Sequence, residues 1–140
     1  MATLRTSIAI HAPVARVFDY VADPNHLPAI WPAMRAVRNV IPHAEGASFD
    51  WDYRLLGVTI HGHSDPIEQV PNLRQVTKSV RGIPNTFRWL YAERDGATEV
   101  TLEVDYSSPI PGRLAERLVG RANEREAETL LANLKRVMEA

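Results

Sequence analysis

The sequence predicts an α+β domain: a seven-stranded antiparallel sheet lying against one long C-terminal helix, with two short helices after the first strand. Three observations predict it. From Met34 to Ser108 apolar and polar residues alternate, with turn residues about every ten positions, the texture of an antiparallel meander. From Arg113 to Glu139 the period becomes helical, with no Pro and only Gly120. Ahead of both, Leu4 to Ile10 runs apolar and β-branched, as a strand would.

Ala12-Pro13 opens a first short helix, since Pro is tolerated where the N–H has no intrahelical partner. Val14, Val17, Phe18 and Val21 give that helix one apolar face. Asp23-Pro24 repeats the start signal, and Pro28 and Pro32 keep the second helix short. Six strands follow, separated by Pro42 to Gly46, Leu56-Gly57, Pro71-Asn72, Gly82 to Asn85 and Asp95-Gly96. The last segment is enough for a helix about 40 Å long at ~1.5 Å per residue.

Two hairpins fix registers. If Asp95-Gly96 is a two-residue turn, Phe87 opposes Val104, Trp89 opposes Leu102 and Tyr91 opposes Val100. Arg88 then opposes Glu103 on the other face, a favourable charge pair. Around Leu56-Gly57, Tyr53 meets Ile60, Trp51 meets Gly62 and Phe49 meets Ser64. The opposite face carries Asp50, Asp52, Arg54, His61 and His63. The inward aromatic face therefore holds Phe49, Trp51, Tyr53, Phe87, Trp89, Tyr91 and Tyr106, beside Val100, Leu102 and Val104. Leu73 to Arg81 stays open in its facing, with valines on one side and Gln75, Thr77 and Ser79 on the other.

Composition narrows the function. The chain has 140 residues, 45% of them apolar and 24% charged, which fits one globular domain. Cysteine is absent, removing disulfides, thiolate metal sites and cysteine nucleophiles together. A net charge of -1 disfavours nucleic-acid binding. No apolar run approaches the ~18 residues of a membrane span, and no charged-then-apolar leader opens the sequence. Stable membrane insertion is not expected, and the expected location is the cytoplasm.

The helix carries the functional signal. Around Leu134 its stripe is bulky, with Leu130, Leu131, Val137 and Met138. Toward the N-terminus the same stripe becomes Ala127, Asn123, Gly120 and Glu116. A sealed void opposite small residues costs about 24 cal/mol per Å³. A cavity open to solvent or filled by a ligand is the cheaper arrangement. Aromatic walls suit planar ligands, and buried tyrosine hydroxyls want partners.

Other constellations have plainer readings. His61, His63, Asp50 and Asp52 have metal-like spacing, but cross-strand charge pairing explains them on a flat exposed face, and no metal is expected. Arg113, Arg117, Arg121 and Arg125 interleave with Glu116, Glu124 and Glu128, predicting i,i+3 pairs on a solvated helix face. No phosphate loop, nucleophile elbow or nucleotide fingerprint appears, so no cofactor is expected.

The stretch Ile8-Ala9-Ile10-His11-Ala12-Pro13-Val14-Ala15-Arg16-Val17-Phe18-Asp19-Tyr20-Val21, followed by Trp31-Pro32, resembles the SRPBCC, or START-like, helix-grip superfamily. Gly57-Val58, Val104-Asp105-Tyr106 before Pro109, and the terminal Asn133-Leu134-Lys135-Arg136 extend the resemblance over essentially the whole chain. It is closest to the bacterial polyketide cyclase/dehydrase-like branch. The resemblance implies a curved seven-stranded sheet gripping the helix around a cavity for apolar or aromatic molecules. It carries over no catalytic residue. Pro42-His43-Ala44-Glu45-Gly46 stands where the plant allergen branch has a glycine-rich loop, so that branch's ligands are not implied.

The expected function is binding of a small hydrophobic, cyclic or aromatic ligand between sheet and helix. The expected contacts are Trp31, Trp51, Tyr53, Phe87, Trp89, Leu102, Tyr106, Gly120, Asn123 and Ala127. The first alternative is a cyclase or dehydratase using the same cavity. The second is a partner-binding subunit with a collapsed one. The expected assembly is a monomer or homodimer.

Overall fold

The computed structural model describes residues 1–140. Strand β1 (Ala2–Ile10) leads into helix α1 (Val14–Ala22), a 3-10 turn (Pro24–His26) and the single-turn helix α2 (Leu27–Ile30). Strands β2 (Met34–His43), β3 (Gly46–Leu55), β4 (Val58–Val70), β5 (Arg74–Arg81), β6 (Asn85–Arg94) and β7 (Ala97–Tyr106) follow, and helix α3 (Arg113–Glu139) ends the chain. The sheet order is β1-β7-β6-β5-β4-β3-β2, antiparallel throughout. Strands β1 and β2, consecutive in sequence, are thus opposite edges, and the short helices carry the chain across.

The start signals act as expected, with one adjustment. Val17, Phe18 and Val21 are the buried face of α1, with Pro13 at its N-cap. Asp23 caps the next element by accepting from Asn25 N, but Pro28 and Pro32 reduce the second helix to the 3-10 turn plus α2.

Both hairpin registers hold, including Phe87 opposite Val104 and Trp51 opposite Gly62. Asp95 and Gly96 take positive φ, as a two-residue turn demands, and so do Leu56 and Gly57. A Cβ at Gly62 would overlap the Trp51 ring, so glycine lets that indole lie flat across β4. Register shifts interrupt β2–β3 pairing between Arg38 and Ile41, where Asn39 has φ 54°, and β4–β5 pairing beside Pro66. Such irregularities bend the strands that carry them.

Two surface expectations change, and the facing of β5, open from the sequence, is fixed. Arg88 stands opposite Glu103 but donates diagonally to Asp105 at 2.9 Å, because Arg5 of the neighbouring β1 takes Glu103. The predicted Arg–Glu pairs along the first half of α3 are not made. The helix's intrahelical ion pair is Lys135–Glu139, in its last turn. On β5 it is the polar side that faces inward, with Gln75 and Ser79 buried and Val80 77% exposed.

Helix α3 is held firmly at its C-terminal half. Leu130, Leu131, Leu134 and Met138 are buried there. Lys135 Nζ donates to Ala9 O at 2.9 Å, and Glu139 accepts from His11 N at 2.8 Å. Asn133 donates to Ile30 O at 2.9 Å, and Glu126 accepts from Ala33 N at 2.7 Å, tying the helix to α2 and the start of β2. No helix is long and apolar enough to cross a membrane.

Candidate functional site

A cavity of about 120 Å³ lies between the inner face of the sheet, the short helices and the middle of α3. Its position follows from α3. The bulky stripe ends at Leu130, and Ala127 and Asn123 continue it with less volume. An engineered apolar cavity of about 150 Å³ accepts benzene, so this space is on the scale of one ring.

Eight of the expected residues stand on its wall: Trp31, Trp51, Tyr53, Phe87, Trp89, Tyr106, Asn123 and Ala127. Strand alternation puts Trp51 and Tyr53 on one side, and Phe87 and Trp89 on another. The aromatic rings touch in sequence. Trp31 meets Tyr53 edge-on at 5.5 Å and Phe87 at 5.3 Å, and Phe87 meets Trp89 at 6.0 Å between centroids. Trp31 thus sits at the junction of the short helices and the sheet.

Two expected residues are not on the wall. Leu102 points inward but belongs with Leu131 and Leu134 to the fully packed part of the core. Gly120 lies behind Tyr106, and a Cβ there would stand 3.5 Å from the Tyr106 hydroxyl. A methyl group would fit there in ordinary contact, and only a larger side chain would press on that tyrosine, so Gly120 bears on the cavity only through Tyr106.

Sequence reasoning also missed wall residues. The short helices supply Val21, Ala22, Pro24 and Leu27, and β5 supplies Gln75. Gln75 accepts from the Tyr91 hydroxyl at 2.6 Å and donates to Phe18 O at 3.4 Å, which satisfies it in the interior. The signal lay in register: Gln75 pairs with Trp89, so an inward tryptophan brings the glutamine inward with it.

The polar groups of the wall are specific. The Tyr53 hydroxyl donates to Asn123 Oδ1 at 3.2 Å. Burial, and after it the charge of Glu126, pushes the Tyr53 phenol well above its ordinary value, so it keeps its proton. Burial does the same to Tyr91. Trp51 Nε1 donates to Ser64 Oγ, which shares a hydrogen bond with Ser79 Oγ at 2.7 Å. Trp31 Nε1 is buried and makes no well-formed hydrogen bond, though it comes near enough to the Tyr53 hydroxyl to offset part of that phenol's upward shift.

On the outer face of the sheet His61 and His63 are taken up by hydrogen bonds to carboxylates. His61 Nδ1 meets Asp52, and His63 bridges Asp50 at 2.7 Å and Asp65 at 2.9 Å. Hydrogen bonds from Asp50 and then Asp65 raise the His63 pKa. No group of three or more such side chains converges as metal ligands would.

The family model described as "Polyketide cyclase / dehydrase and lipid transport" matches residues 1–139. No curated protein matches the sequence. Among solved structures, a protein of Thermus thermophilus superposes with a TM-score of 0.83 at 22% identity, covering 96% of this chain and 95% of that one. The Zhui aromatase/cyclase of a Streptomyces species gives 0.85 at 15% identity, covering 99% and 93%. A START superfamily protein of Mycobacterium smegmatis gives 0.76 at 15% identity, covering 96% and 98%. At these identities the likeness is one of fold: a seven-stranded antiparallel sheet gripping a long C-terminal helix.

Proposed function

We propose, from the premise that this chain belongs to the polyketide cyclase/dehydrase and lipid transport family, that it binds a small, mostly apolar, cyclic or aromatic molecule between sheet and helix. One observation carries this reading: the small-residue half of α3 leaves about 120 Å³ open inside a ring of aromatic side chains. Affinity comes from apolar burial and ring packing on Trp31, Trp51, Phe87 and Trp89. Tyr53, Tyr106 and Asn123 orient the molecule. The protein acts in the cytoplasm as a monomer or homodimer.

Native mass spectrometry of freshly purified protein tests this. A co-purifying small molecule, lost in Asn123→Leu while circular dichroism stays unchanged, is the expected result. A chain that carries nothing and takes up no aromatic compound overturns the reading.

A second reading, ring closure or dehydration of a ketone-bearing molecule in the same space, draws support from Tyr53. The Tyr53 phenol stands on the cavity wall, where it can polarise a ketone oxygen through a hydrogen bond, although burial makes it a weaker acid than a free phenol. Incubation with a poly-β-ketone separates the two: a cyclised product that disappears in Tyr53→Phe favours catalysis, and an unchanged ketone favours binding alone.

A further inference from the structure

Helix α3 is fastened unevenly to the sheet. On the side of β2 and β3 its middle is tied down: Asn123 accepts from the Tyr53 hydroxyl at 3.2 Å, and Glu126 accepts from Ala33 N at 2.7 Å. On the side of β1 the ties come only at the far end, where Lys135 reaches Ala9 O and Glu139 takes His11 N. Ahead of them β1 spends its side chains on β7 instead, Thr3 on Asp105, Arg5 on Glu103 and Ser7 on Thr101.

This untied stretch of the seam carries a surface groove, bordered by Leu4 and Thr6 of β1 and by Glu124, Ala127 and Glu128 of α3. Leu4 and Ala127 also line the cavity. The partition between groove and cavity therefore includes one leucine side chain and one alanine methyl, 8% and 5% exposed by residue.

Opening is easier here than along the rest of the seam. Strand β1 is an edge of the sheet, so no further strand covers it. Leu4 can change rotamer without breaking a hydrogen bond, and the helix faces it with the small Ala127. Toward the C-terminus the same movement would break the Lys135 and Glu139 bonds and expose buried leucines. Segments with few ties open at the low end of a fold's free-energy range.

We propose that the N-terminal stretch of the β1–α3 seam is a side entrance to the cavity, gated by Leu4, and that it admits small uncharged molecules. Glu124 and Glu128 stand at its outer rim and repel anions. As a route for a ligand the entrance rests on the reading of the cavity as a ligand site; as an opening of the fold it does not, and the test reads the two apart.

Trp31, Trp51 and Trp89, the chain's three tryptophans, all line the cavity, so its indole fluorescence reports from that space. Acrylamide, a small neutral quencher, is the first probe. Leu4→Ala removes the gate and should raise the quenching constant about twofold or more. Thr6→Phe fills the groove from a position off the cavity wall and should lower it. Leu134→Ala truncates a buried leucine in the sealed half and should leave it unchanged, which separates an entrance from general loosening. Replacing Glu124 and Glu128 together by Gln should raise quenching by iodide and leave acrylamide alone. Toluene is the second probe, followed by stopped flow. In Thr6→Phe its entry and exit should slow together with affinity unchanged, as a gate requires. If Leu4→Ala is quenched no more than Leu134→Ala, or if Thr6→Phe leaves quenching and toluene rates at parent values, the entrance lies elsewhere, and the ligand site stands so long as toluene binds. If quenching follows the expected pattern and toluene does not bind, the opening stands and the ligand-site reading falls.

Discussion

Asp52 shows how much one half-buried carboxylate can organise. Arg38 grips it with both Nη atoms, at 2.7 and 3.0 Å, and His61 approaches the same Oδ1 from β4. Those hydrogen bonds, Arg38's first, draw its pKa from 3.8 to about 2. A depressed carboxylate contributes stability that is present above its unfolded value and lost as pH falls through the folded one. For Asp52 that window runs from 3.8 down to about 2. His63 has the opposite sign. Its pKa is raised above 6.5, so its contribution is complete below 6.5 and disappears as pH climbs through the raised value. NMR titration should find the Asp52 carboxyl returning toward 3.8 in Arg38→Ala, and the His63 ring returning toward 6.5 in Asp50→Asn. An unmoved Asp52 in the first variant would mean that the bidentate pair does not persist in solution.

At the scale of elements, α3 is two helices in one: a C-terminal half that seals and an N-terminal half that, Val119 apart, does not. Gly120 marks the second half and burdens it, since glycine inside a helix costs about 1 kcal/mol relative to alanine. The only atom a Cβ would meet is the Tyr106 hydroxyl, at an ordinary 3.5 Å. Gly120→Ala should therefore raise stability by about 0.5–1 kcal/mol in urea denaturation, whereas Gly120→Leu should displace Tyr106 and lower it. A destabilised alanine variant would mean that the helix lies closer to β7 than this geometry allows. What was legible in the sequence, and what was not, divides along similar lines. The β6–β7 hairpin could be registered from Asp95-Gly96 because local turn chemistry fixes pairing, and the volume change along α3 could be read from periodicity. Strand β5 could not, because its facing follows from Gln75 standing opposite Trp89, a pairing that no two-residue turn fixes, and its inward polar groups are satisfied by Tyr91, Phe18 and Ser64 on other elements. Leu102 has the right facing for the wall, but how far along the sheet the cavity extends depends on where α3 crosses, which periodicity does not contain.

For the molecule as a whole, the sealed and open halves set stability against binding. Leu102, Leu131 and Leu134 support the fold without touching the cavity, while Ala127 borders it at small volume. Proteins commonly give up packing where function needs space. The two roles can be separated with one substitution in each region. Leu102→Ala removes a side chain with no exposed surface and should cost about 2–5 kcal/mol, leaving ligand uptake by the remaining folded protein unchanged. Ala127→Leu adds methyl groups facing open space, each worth up to about 0.8 kcal/mol when buried without strain. Its unfolding free energy should hold or rise while uptake of small aromatic compounds, followed by calorimetry, is lost. The pair distinguishes a space kept open for a guest from a packing defect. If Ala127→Leu binds aromatic compounds as tightly as the parent chain, the guest sits elsewhere; if it unfolds more readily than the parent, the gap beneath α3 is narrower than about 120 Å³ and already filled by neighbouring side chains.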